Sequence, residues 1–166
     1  MVKRLTTDAL LLAIALVMFV FEAQLPPIVP VPGVKLGLAN IITVYAFFVL
    51  TPQDAFLILV CRIFLGSVFS GQLMTFFFSF AGGMLCFLSL LCIKPALTSD
   101  QIWVASVISA IFHNIGQIIM AIIIFSSPAM MAYLPVLIFS GTIAGLLTGL
   151  SAQVIINRLN HKKTNL

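Results

Sequence analysis

Apolar runs that approach or exceed the ~20 residues needed to cross hydrocarbon follow one another along almost the whole chain. That feature leaves few folds open. The number and spacing of the runs suit helices better than the shorter, alternating strands of an outer-membrane barrel. Charge is correspondingly scarce. Only 7% of the 166 residues are charged and 62% are hydrophobic, with a mean hydropathy of +1.25, whereas soluble domains carry roughly 25% charged residues. The fold class is therefore all-α, a polytopic membrane bundle of about six transmembrane helices in a single domain spanning 1–166.

The pattern predicts helices at roughly 5–23, 35–51, 54–70, 72–93, 101–125 and 132–157. Six spans put both termini on one side. Lys3, Arg4, Lys94, Arg158, Lys162 and Lys163 then share a face, which the positive-inside tendency makes the cytoplasmic face of a bacterial-type cell membrane. Asp54 is expected to cap the third helix, and Thr98-Ser99-Asp100 to start the fifth. The N-terminal Lys-Arg and the apolar run to about Phe21 resemble a signal peptide but lack a small-residue cleavage site, so the run is read as a retained first helix. The net charge of +4 flanks the outermost helices as topology signals do, which argues against a nucleic-acid partner. Cys61, Cys86 and Cys92 lie inside apolar segments as small hydrophobes, with neither a disulfide framework nor a metal-ligand spacing.

Between the first two apolar segments lies Pro26 to Asn40, with four prolines in seven residues. Proline removes backbone donors and forbids a helix, and Gly33 allows a sharp turn, so a stiff, extended loop is expected on the outer face. Lys35 and Asn40 follow it into the next segment.

Small residues let helices pack closely in lipid, where the hydrophobic effect does not draw them together. Gly141, Gly145 and Gly149 form such a ridge on the sixth helix, read as bundle packing or as a homodimer seam. Ala9 and Ala13 make a shorter ridge on the first. The fourth helix carries a small and polar stripe of Gln72, Thr75, Ser79, Gly82 or Gly83, Cys86 and Ser89, and the fifth carries Ser106, Ser109, Ala110, His113 and Gln117 with Asn114 alongside. Both stripes should face protein or water.

Arg62 is the sharpest polar signal, roughly 12 Å beyond Asp54 at ~1.5 Å per residue. Either it pairs with carbonyls, Asn40 or Glu22, or it holds an anionic substrate group. His113, Asn114 and Gln117 likewise are either satisfied core polarity or ligand contacts, because a buried polar group without a partner costs a few kcal/mol. The topology places Glu22, Lys35, Asn40, Gln72, Thr75, His113, Asn114 and Gln117 nearly all in the outer half. That describes an outward-opening pocket rimmed by the proline loop.

Pro32-Gly33-Val34-Lys35-Leu36-Gly37-Leu38-Ala39-Asn40, then Arg62, then His113-Asn114-Ile115-Gly116-Gln117, resemble the family labelled either Gx transporter or heptaprenyl diphosphate synthase component I. The resemblance covers essentially the whole chain. That family is similar in turn to the S components of energy-coupling-factor transporters, six-helix bundles that capture vitamins and related molecules outside the cell. The resemblance implies a membrane coupling subunit and two ATPases as partners, with Ala9 and Ala13 matching the Ala-xxx-Ala pattern that contacts the coupling subunit. From the residues themselves, Lys35, Arg62 and His113 are expected to supply positive or switchable charge to a small-molecule ligand, Asn40, Asn114 and Gln117 directional hydrogen bonds, and Glu22 a contact to a cationic or hydroxylated part.

The two labels make different chemical demands. Prenyl diphosphate synthesis needs clustered carboxylates to hold magnesium, and Asp8, Asp54 and Asp100 are widely separated at the inner face. The chain is therefore not expected to be an enzyme; an accessory role to one is the surviving form of that reading. The sequence contains no Gly-x-x-x-x-Gly-Lys-Ser/Thr, so no ATP chemistry through a P-loop is expected, and no cofactor. The expected function is binding of an anionic or vitamin-like molecule from outside and its delivery inward, with a small secondary carrier as a competitor.

Overall fold

The computed structural model describes residues 2–24, 39–71, 73–98 and 101–164, the side chains at 23, 73 and 159–164 excepted. Six α-helices and no strand are found among them: α1 (Val2–Gln24), α2 (Asn40–Val49), α3 (Pro52–Ser70), α4 (Leu73–Ile93), α5 (Ile102–Phe125) and α6 (Leu134–Thr164). Five are long and apolar enough to cross a membrane, and α2 is the shorter apolar sixth. The chain is a multi-pass membrane bundle.

Local chemistry sets the boundaries. Thr51 occupies the N-cap of α3 in extended backbone, its Oγ1 accepting from the Asp54 N–H at 3.3 Å. Pro52 follows at the first helical turn, where a missing N–H costs nothing. This corrects the expectation that Asp54 is the cap. Asp54 lies inside the first turn, and its carboxylate accepts from Thr51 Oγ1 (2.8 Å) and from Arg4 Nε (2.9 Å) and Nη2 (2.6 Å). Arg4 also donates to Thr51 Oγ1 at 2.9 Å. Thr51→Ala is expected to destabilise the fold by about 0.5–2 kcal/mol, as lost helix caps do, read as a lower thermal midpoint in detergent.

Gly71 ends α3 with φ 65°, the left-handed conformation that glycine adopts without penalty. The start of α5 is capped from a distance, its Ile102 N–H donating to Gln153 Oε1 of α6 at 2.9 Å. Residues 99 and 100, expected to start this helix, lie outside the described residues. A 3₁₀ turn over Pro128–Tyr133 leads into α6, which continues beyond the expected end at 157.

Lys94 Nζ donates to the Phe47 carbonyl at 3.3 Å and stands 4.7 Å from the centroid of its ring. Together with the Arg4–Asp54–Thr51 cluster and the Gln153 cap, this gathers the starts of α1, α3 and α5 and the ends of α2 and α4 at one end of the bundle. Lys3, Arg4 and Lys94 lie at that end, called inner below. Helix α2 was expected over 35–51. Its described part starts only at Asn40, after Ala39 in a turn, and at ~1.5 Å per residue it rises roughly 15 Å, half of a ~30 Å core.

Two modes of packing build the bundle. Helices α4, α5 and α6 meet backbone to backbone through glycines: a Cβ at Gly116 would stand 2.6 Å from the Ala81 carbonyl oxygen, at Gly145 2.8 Å from Val107 Cα, and at Gly149 2.7 Å from Trp103 Cα. The Gly141, Gly145 and Gly149 ridge thus faces α5. Helices α1 to α3 pack instead by side chains, with Leu11, Ala15, Ile42, Phe47, Ile58 and Leu59 in a core shared with Phe87, Leu90 and Ile156.

Candidate ligand-binding cleft

The buried stripe of α1 runs through Asp8, Leu11, Ala15, Phe19 and Glu22, at the three- and four-residue spacing of one helix face. Its outer end brings Phe19 and Glu22 over a small cleft. Ala39 and Asn40 at the start of α2, Arg62 and Ile63 of α3, Ser79 of α4, and His113 and Gln117 of α5 complete the lining. Arg62 lies ten residues into α3 and Asn40 ten residues before Leu50, so at ~1.5 Å per residue both stand about 15 Å from the inner end. Glu22 stands roughly 27 Å above Arg4 by the same measure. The cleft occupies the middle to outer part of the bundle.

Arg62 is held here although it is only 4% exposed. Its Nη2 donates to Asn40 Oδ1 at 3.2 Å, while its Nε, fully enclosed, has no hydrogen-bond partner. Gln117, also in the lining and 1% exposed, leaves its Oε1 without a partner. Buried polar groups in folded proteins are overwhelmingly satisfied, and each exception calls for a physical explanation. His113 Nδ1 is likewise buried without a partner, so three open polar atoms line the same cleft. The room among these side chains is on the order of one water molecule.

Glycines place the α5 residues. A Cβ at Gly82 would stand 2.8 Å from the His113 carbonyl oxygen and 2.9 Å from its ring, so the missing side chain is the space His113 fills. On the other side, Gly66 receives the Phe19 ring, at 2.8 Å from where its Cβ would be. This contact seats the outer end of α1 on α3.

The structure brings together five residues expected at the site: Glu22, Asn40, Arg62, His113 and Gln117. Asn114 is not among them. One residue on from His113, it points to α6, where its Nδ2 donates to the Leu137 carbonyl at 2.6 Å. Lys35 and Gln72 lie outside the described residues. Ala9 and Ala13 sit on the exposed face of α1, away from the cleft. Among the described residues, no three His, Cys, Asp or Glu side chains gather as metal ligands.

Phe19, Ala39 and Ile63 were not anticipated as lining, because apolar side chains in a membrane helix carry no mark that separates a cleft wall from a lipid contact. The signal available was relative position: Phe19 lies on the same stripe as Glu22, and Ile63 is adjacent to Arg62.

A family model described as heptaprenyl diphosphate synthase component I matches residues 11–155, a span that includes every residue lining the cleft. No curated protein and no solved structure matches the chain.

Proposed function

We propose a small-molecule-binding role in the membrane for this chain, which belongs to the heptaprenyl diphosphate synthase component I family. It captures a polar ligand in the cleft between α1–α3 and α4–α5 and passes it inward as the binding subunit of an uptake transporter. The observation that carries this reading is the convergence of Glu22, Asn40, Arg62, His113 and Gln117 from four helices, with Arg62 Nε and Gln117 Oε1 both unpartnered. A charge at such depth costs at least about 2.5–3.5 kcal/mol on insertion scales, and a bundle gains nothing from leaving its donor open. A ligand that completes the set offsets that cost.

In this reading the basic inner end is cytoplasmic, the cleft faces outward, and partner subunits supply the energy. The exposed Ala9 and Ala13 give a smooth strip of α1 on which a helix of a coupling subunit can lie closely. Replacing both with leucine is expected to reduce transport at least tenfold in a reconstituted uptake assay and leave ligand affinity within twofold. Lys35→Ala and Gln117→Ala are expected to weaken binding without loss of folded protein. Unchanged affinity in both variants sinks the site assignment.

The family's description supports a second reading, a non-catalytic membrane accessory of a two-component prenyl diphosphate synthase. Native mass spectrometry of the protein gently extracted from its own membrane separates the two. A retained polar metabolite with coupling and ATPase subunits supports the transporter subunit. A copurifying soluble prenyl synthase whose product yield depends on this chain, with no ATPase, supports the accessory.

A further inference from the structure

Arg62 Nε, His113 Nδ1 and Gln117 Oε1 are buried without a hydrogen-bond partner among the described residues, and all three residues line one cleft. They are 4%, 5% and 1% exposed. Arg62 belongs to α3 and the other two to α5, and these helices each pack against α2 and α4. The guanidinium stands near enough to the imidazole to act on it electrostatically. Asn40 already holds Arg62 Nη2, while Glu22 attracts Arg62 and is engaged in an interaction of its own. The three open atoms are what those neighbours leave over.

We infer that these atoms form the binding site of one resident water, which ties α3 to α5 inside the cleft. The free volume there is about 10 Å³, roughly what a single water needs. The donors and acceptors also match. The Arg62 Nε–H donates to the water oxygen, and the two water hydrogens go to Gln117 Oε1 and His113 Nδ1. Three hydrogen bonds are the usual complement of a buried water. A neutral imidazole has one N–H and one lone pair, so the site puts the proton on Nε2 and the lone pair on Nδ1. The imidazole also donates toward the Gly82 backbone, a bond left to Nε2 because Nδ1 has none.

Other occupants fit less well. A cation would stand against the guanidinium, and a bare anion would meet the lone pairs of Gln117 and His113 with no hydrogen to offer them. A direct bond from Arg62 to Gln117 would leave His113 Nδ1 open, at the cost of a buried unsatisfied group. Water supplies both a donor and an acceptor in the volume present, and it holds side chains from two helices in one arrangement. It brings no net charge. The cost of burying the guanidinium therefore stays for a ligand to offset.

The test is nuclear magnetic resonance of the full-length protein in lipid nanodiscs, isotope-labelled at its arginine and histidine nitrogens. The sequence has two histidines, His113 and His161, so His161→Gln leaves one imidazole to assign. Arg62→Met identifies the Arg62 Nε signal by its loss. Nδ1 of His113 is expected to be unprotonated, and the Arg62 Nε–H to receive magnetisation from a long-lived water. Gln117→Met keeps the side-chain size and removes the acceptor, which is expected to reduce that transfer about threefold or more. Should this variant fail to fold, His113→Phe removes the other acceptor and is read in the same way. A proton on Nδ1 overturns the site, as does the absence of transfer to the Arg62 Nε–H. A transfer unchanged by loss of an acceptor, as open solvent in the cleft would give, overturns it too.

Discussion

Arg62→Met is expected to abolish high-affinity ligand binding and to leave the protein as stable as before, or more so. Methionine keeps an unbranched, flexible stem of comparable reach and removes the charge. The guanidinium is 4% exposed, has one hydrogen bond to Asn40 and leaves Nε unsatisfied. Its removal therefore deletes a desolvation cost of several kcal/mol against a single long hydrogen bond and the attraction of Glu22 in the same cleft. On the ligand side, hydrogen bonds to charged groups contribute about 1.5–3 kcal/mol, so affinity should fall between roughly tenfold and 150-fold. Thermal unfolding in detergent and ligand titration on the same preparation check both halves. A large drop in the thermal midpoint would make Arg62 a structural residue and remove the main support for the cleft as a binding site.

Gly116→Leu is expected to have the opposite signature, loss of the folded bundle itself. The first side-chain carbon already falls 2.6 Å from the Ala81 carbonyl oxygen and 2.8 Å from Gly82 Cα. These are backbone atoms, which yield only if α4 and α5 separate. Overpacking of a tight interface costs typically about 1–3 kcal/mol, occasionally more; a clash with backbone and a branched side chain beyond it belongs at the upper end. Gly71→Ala is the contrasting case, because its Cβ would meet nothing within 4 Å and only the left-handed φ of 65° opposes it, a penalty of about 1–2 kcal/mol. Size-exclusion profiles and thermal midpoints of the two variants rank them. If Gly116→Leu tolerated heating better than Gly71→Ala, the close approach of α4 and α5 would be wrong.

The bundle was legible because membrane spans announce themselves by length and lack of charge, and α1, α3, α4 and α5 fall within a few residues of expectation. What failed were the points where tertiary contacts decide. Thr51 and not Asp54 caps α3, since the chain had a hydroxyl followed by Pro52 and the carboxylate had Arg4, 50 residues away, to receive. Residues 35–38 of the expected second helix lie outside the described residues, and its described part is Asn40–Val49. Of the polar candidates, Glu22, Asn40, Arg62, His113 and Gln117 meet in one place. Asn114 turns to α6 because one residue along a helix rotates a side chain by about 100°, which separates it from His113 as surely as distance would. The glycine at 66 drew no notice, being neither at a turn nor in a repeated ridge; its meaning appears only with Phe19 set in it.

The glycine-to-backbone joints of α4, α5 and α6 leave almost no slack, whereas α1 meets α3 through an aromatic ring resting in a notch and a cluster of polar side chains at the far end. Interfaces of the first kind slide or tilt only by losing many contacts together; those of the second kind can be remade one rotamer at a time. The groups lining the cleft straddle the two kinds. Arg62, Asn40 and Glu22 belong to the part packed by side chains, while His113, Gln117 and Ser79 belong to the glycine-joined part, so the cleft lies along the seam where one kind of joint gives way to the other.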